Sequence, residues 1–198
     1  MSSAESAAQR LRSQPRSAAE NRILKAALEL FAEHGVSATS LQMIADAVGV
    51  AKAAVYYRFK TKDEIVIAVT EMQLATFEDA LEAAEAAENR LQGRELLLNR
   101  VIDMAVEQRP IVSSLQFDPV IVRLLGRHEP FQQFLERLYR ALIGDEIGAQ
   151  ARVQAAMLRG AIGSAVIHPL VADLDDHTLR SHLLHLTRRL IDLPDQPE

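Results

Sequence analysis

Between Thr39 and Glu64 the chain reads TSLQMIADAVGVAKAAVYYRFKTKDE, and the chemistry open to these residues is holding an anion beside an apolar contact. Thr39 stands at an expected helix start, where its hydroxyl and the neighbouring N–H groups can meet a phosphate or simply cap the helix. Lys52 opens a second helix, Tyr57 lies one face further on, and Lys62 opens a third. Ala53 and Ala54 offer methyl groups only, which can touch a thymine methyl but donate no hydrogen bond. Lys60 and Arg58 are equally well explained as solvated charges.

The elements that would position these side chains are legible in the spacing. Leu41, Ile44, Ala45 and Val48 recur at i, i+3, i+4 and i+7, one buried helical stripe. Ala45 is small where a second helix must cross closely. Gly49 can adopt the positive φ that ends a helix and turns the chain. Val55 then returns to the same core. Two helices at this spacing form a helix-turn-helix, whose second member can lie in a DNA major groove. Ser17 with Glu20, Thr39 with Gln42 and Thr61 with Glu64 have the spacing of capping boxes. The first helix is expected to bury Ile23, Leu24, Ala27, Leu28 and Phe31 and to stop at Gly35.

The segment ILKAALELFAEHGVSATSLQMIADAVGVAKAAVYYRFKTKDEI, residues 23 to 65, resembles the DNA-binding domain of the TetR family of bacterial transcriptional regulators. The pieces LFAEHG, TSLQMIADAVGV and YYRFKTKDE carry most of the likeness. The resemblance implies DNA contact by Thr39, Lys52, Ala53, Ala54, Tyr57 and Lys62, with Lys52, Tyr57 and Lys62 on phosphates. Tyr56 and Phe59 are expected to pack the second helix onto its neighbours. Where relatives often have Ser-Lys-Gly-Thr, this chain has Ala51, Lys52, Ala53 and Ala54, which removes two side-chain donors.

Composition bounds the rest. In 198 residues, about half are apolar, aromatics are few and Trp is absent, which suits an Ala/Leu-rich all-α protein. Cysteine is absent, consistent with a reducing cytoplasm. No apolar run approaches the ~18 residues of a membrane span, and no signal-peptide core is present. The net charge of −5 hides an asymmetry: residues 1–62 hold nine Lys/Arg against five Asp/Glu, and the remainder thirteen against twenty-two. A basic head on an acidic body follows, and DNA affinity depends on the local charge. Residues 1–16, with Arg10, Arg12 and Arg16, read as a disordered basic arm able to enter a minor groove, or as a plain tail.

Past Lys62 the chain stays helical. Helices are expected at about 62–87, 94–108, 131–143 and 149–167, with a final one carrying Leu179, Leu183, Leu186 and Leu190 at heptad-like spacing. Ala156, Gly160 and Ser164 form a small-residue stripe that lets helices approach closely. Both stripes are open to use within one chain. In the family resembled, the last two helices pair with their twins, which implies a C2 homodimer with these seven residues at its interface. By the same resemblance the body would hold a partly apolar small-molecule effector, and Met72, Met104, Gln108, Phe117, Phe131, Phe134 and Met157 are candidate lining or ordinary core.

Catalysis finds little support. His182 and His185 could share a metal, but no cysteine or ordered carboxylate set accompanies them. Asp145–Glu146 and Asp175–Asp176 sit at helix starts, where the macrodipole accounts for them. No phosphate loop, nucleophile elbow or HExxH motif occurs, so neither an enzyme nor a cofactor is implied. The expectation is a three-helix DNA-binding domain at 17–62 and a helical ligand-binding and dimerisation domain at 63–198. Its function would be that of a repressor binding a palindromic double-stranded operator as a homodimer, without membrane association, and released by a small molecule. The alternative is a helical interaction or sensor protein of the same fold without specific operator binding.

Overall fold

The structure, a computed structural model, describes residues 16–109, 111, 118–144 and 148–194. Among the described residues every regular element is helical. Helix α1, Ala18–Ala38, opens with the expected capping box: Ser17 Oγ accepts from Glu20 N at 3.2 Å, and Glu20 Oε2 accepts from Ser17 N at 2.8 Å. Its backbone breaks at Gly35 (φ 78°, ψ 160°) as anticipated, yet a last helical stretch continues to Ala38. Helices α2, Leu41–Val48, and α3, Lys52–Arg58, follow, then the long α4, Lys62–Glu85.

Helix α5, Arg90–Glu107, begins a turn earlier than the sequence suggested. Asn89 is the reason, since its side-chain oxygen accepts from Leu91 N at 2.9 Å and Gln92 N at 3.4 Å. The remaining elements are α6, Pro119–Leu125, α7, Glu129–Leu142, α8, Ala149–Ala165, a 3₁₀ turn at Pro169–Val171, and α9, Asp176–Leu190. No helix among the described residues is long and apolar enough to cross a membrane.

The chain divides into two compact units, one running through Thr76 and including Pro110–Phe134, the other comprising Phe77–Arg109 and Leu135 onward. In the first, Ile65, Val66 and Val69 of α4 and Ile121 and Leu125 of α6 share one core with Ile23, Leu24, Phe31, Ile44 and Val55. The unit is thus larger than a three-helix head ending at residue 62. Each such buried side chain contributes roughly 1.5–3 kcal/mol, so the first half of α4, as far as Thr76, and α6 are structural parts of the first unit.

In the second unit α9 lies along α5, and α8 packs on both. Its core includes Leu97, Leu98 and Ile102 of α5, Leu158 and Ile162 of α8, and Leu179 and Leu183 of α9. Arg180 Nη2 donates to Asn99 Oδ1 at 3.0 Å and pairs with Asp103, while Arg188 pairs with Glu95. Glu78 is fully buried and accepts from Arg137, which also forks onto Glu85 at 3.0 and 2.7 Å. The bonds to Glu85, with those to Glu78, raise the Arg137 pKa above its ordinary value.

Candidate nucleic-acid interface

The geometry of the turn is set by caps. Ser40, not Thr39, caps α2: Ser40 Oγ accepts from Met43 N at 3.2 Å. At the other end Gly49 is left-handed (φ 74°, ψ 37°), and Val50 N closes the turn onto Ala45 O at 3.0 Å. Helix α3 then starts without a side-chain cap, because Ala51 has no oxygen to offer. Two side chains pin it to the core, Val55 at 0% exposure and Phe59 at 8%.

Apart from the half-buried Ala54, the rest of α3 faces outward. Lys52 and Ala53 are exposed, Ala54 is half-buried, and Tyr57 is 78% exposed. Tyr56 corrects the sequence expectation: at 53% exposure it belongs to the outward face, and only Phe59 packs inward as expected. The ammonium of Lys60 lies 5.5 Å from the Tyr56 ring centre and 5.4 Å from that of Tyr57. It also donates to Tyr57 O at 3.1 Å. At these distances the cation is attracted to both aromatic faces. Helix α3 and the Lys60 that follows it therefore present cationic, phenolic and methyl groups on one surface, which can meet phosphates and base edges together.

Two predicted contacts have other duties. Thr39 is 2% exposed, and its hydroxyl donates to Gly35 O at 2.8 Å and Leu30 O at 3.3 Å. The neighbouring Ser40 was the better capping candidate, since the β-branched Thr39 turns inward. Lys62 does not hold out a free cation either. Its Nζ donates to Val36 O at 2.7 Å, Ser37 O at 3.2 Å and Thr39 O at 3.0 Å, which uses all the donors of an ammonium group. Arg16 likewise turns back, donating to Glu71 at 2.6 Å, whereas Arg10 and Arg12 lie outside the described residues.

The remaining candidates distribute as follows. Met72 and Phe131 are half-buried against the core of the first unit, and Phe134 is buried in that unit. Met104 is buried in the second unit, and Gln108 ends α5 there, its N–H donating to Met104 O at 3.0 Å. Met157 is 53% exposed and borders a shallow open groove of about 650 Å³ with Arg152, Val153 and Ala156, and Phe117 lies outside the described residues. An open groove of about 890 Å³ in the second unit is bordered by Leu91, Glu95, Leu96, Asn99, Arg100 and Asp103 among others, and by none of the predicted lining residues.

Of the interface candidates, Leu179 and Leu183 are buried within their own chain, because α9 lays that side onto α5. They are corrected from interface to core. Leu190 is half-buried, Leu186 is 61% exposed, and Ala156, Gly160 and Ser164 lie on the open side of α8 with Val153 and Met157. His177, His182 and His185 are exposed, and no group of three or more metal-ligating side chains comes together among the described residues.

Residues 23–69 match the family model of the bacterial regulatory proteins of the tetR family. The HTH-type transcriptional regulator AcrR of Shigella flexneri is 46% identical over 50 residues, 25% of this chain and 23% of that protein. The chain therefore spans less than a quarter of this curated relative's length. Over most of the chain the fold is similar to the fatty acid degradation regulator FadR from Bacillus halodurans (TM-score 0.66, 18% identity, 90% of this chain and 97% of that one). It is also similar to FadR from Bacillus subtilis in complex with stearoyl-CoA (TM-score 0.63, 19% identity, 88% and 99%).

Proposed function

We propose, from the premise that residues 23–69 are the DNA-binding head of a tetR-family regulator, that this chain is a cytoplasmic repressor acting as a homodimer on a palindromic operator. The observation that carries it is the outward face of α3. Lys52, Tyr56, Tyr57 and Lys60 stand clear of the core while Val55 and Phe59 fix the helix beneath them. Lys52 and Tyr57 bind phosphates, and Ala53 and Ala54 face base edges, where they favour thymine methyls. With no donor on either alanine, readout depends on these methyls, on DNA shape and on the spacing of two heads.

Pairing through the open faces of α8 and α9 presents the two α3 helices about 34–36 Å apart, one helical turn of DNA. A small molecule held in the helical body then lowers DNA affinity by as much as it prefers the conformation with misplaced heads. The similar fold that carries stearoyl-CoA supports an effector with an apolar portion. Chemistry on a substrate has no place in this scheme.

Selection from a random DNA library by the purified full-length protein, read by sequencing, tests the proposal. Enrichment of one palindrome is the expected result. A folded dimer that enriches nothing at low salt would instead leave an interaction or sensor protein, the reading that the donor-free Ala53 and Ala54 favour.

A further inference from the structure

We propose that Asp118 is a positioning residue for DNA binding, holding the link between α1 and α2 by the Val36 amide while Lys62 holds the same residue by its carbonyl. Its effect on DNA rests on the regulator reading above; its geometry does not. The positive φ of Gly35 breaks α1 and takes the Val36 N–H away from a regular helical acceptor. Val36 is fully buried, so solvent is a poor substitute and the amide needs a partner from the protein. Asp118 supplies it, Oδ2 accepting from Val36 N at 3.1 Å across 82 residues of sequence. The other oxygen of the same carboxylate caps α6, accepting from Val120 N at 2.8 Å and Ile121 N at 3.4 Å.

On the opposite side of that residue, Lys62 Nζ donates to the carbonyls of Val36, Ser37 and Thr39. The Thr39 hydroxyl closes the loop back onto Gly35 O. Residues 35–39 are thus gripped by an anion at an N–H and by a cation at three C=O groups, the stronger class of hydrogen bond on both sides. The next residue, Ser40, is the cap of α2. Whatever sets the link therefore sets α2, and α3 turns with it through Gly49. Asp118 belongs to an element far outside the helix-turn-helix, yet its carboxylate decides where the DNA-reading face begins.

Two variants of the full-length protein separate this role from simple capping. Asp118→Ser keeps an oxygen that can cap α6 but is short and uncharged. Lys62→Met keeps the apolar stem and removes the ammonium. Deuterium uptake of peptides covering residues 31–41, thermal unfolding, and affinity for the operator selected from random DNA are measured on each. In Asp118→Ser we expect faster exchange in that segment, a midpoint lowered by a few degrees in a protein that still unfolds cooperatively, and operator binding measured well below that midpoint weaker by about tenfold. Lys62→Met should behave likewise, and the double variant should lose less than the product of the two, because both grips act on one link. Unchanged exchange and affinity in folded Asp118→Ser would overturn the proposal, as would strictly multiplicative losses. If Asp118→Ser fails to fold, exchange and affinity in Lys62→Met decide in the same way. Should the wild type bind no DNA, the regulator reading falls, while exchange around Val36 still decides whether the grip exists.

Discussion

On the proposed regulator reading, the exposed face of α3 and the adjoining Lys60 carry the contacts to DNA in a few side chains. Replacing Tyr57 by Phe removes one phenolic hydroxyl and leaves the ring under Lys60; operator affinity should fall by roughly tenfold or somewhat more, the loss of one hydrogen bond to a charged group. Lys52→Ala should weaken specific and non-specific DNA alike and flatten the salt dependence by about one counterion, measured as the slope of log affinity against log salt. Both variants should keep the wild-type melting curve, since neither side chain packs in the core. Glu20 answers to pH. Its bonds from the Ser17 backbone and then the Ser17 hydroxyl hold its pKa below the ordinary carboxylate value. The stabilisation is therefore present above the unfolded-state pKa and disappears as pH falls through the lower folded one. A Glu20→Gln variant should be less stable than wild type at neutral pH, with the gap closing below about pH 4. Lys52 and Tyr57 were legible because residue type and helix offset suffice for an outward cation and phenol. Thr39 and Lys62 were not, since their partners are backbone carbonyls whose positions no local pattern encodes.

Helices were more readable than their ends. The stripe through Leu41, Ile44, Ala45 and Val48, the turn at Gly49 and the anchor Val55 stand as the spacing required. A Cβ added to the left-handed Gly49 would meet no other atom within 4 Å. Gly49→Ala should thus cost backbone strain alone, about 1–2 kcal/mol by urea denaturation. The early start of α5 at Asn89 was not legible, because the cap lies in a polar stretch that resembles a loop. Long-range ion pairs were hidden for a different reason: Arg137 meets Glu78 and Glu85 from another helix. Arg137→Met leaves a fully buried carboxylate without its cation and should destabilise the body by about 3–5 kcal/mol. A Glu78→Leu, Arg137→Met pair should recover most of that loss, since the desolvated charges vanish together.

At the scale of the whole chain, the helical content of the described residues followed from composition, whereas the basic share counted over residues 1–62 does not carry over to the larger first unit, whose α4 and α6 segments add more acids than bases. Heptad spacing on α9 was ambiguous by nature, because a helix can point the same leucines at its own chain or at a twin. Leu179 and Leu183 chose their own chain; Leu186 and Met157 remain open to a second copy. Placing aspartate at both Met157 and Leu186 should yield a helical monomer by light scattering, with operator affinity lost far beyond the effect of any single phosphate contact. The division of labour on α3 has a consequence for descent. Val55 and Phe59 do most of the packing, so exposed positions such as Lys52, Ala53 and Tyr57 add little to the core. A duplicated copy of this gene can drift at those positions and change what the surface of α3 recognises while its fold stays inherited, which makes the short helix a replaceable word in an otherwise fixed sentence.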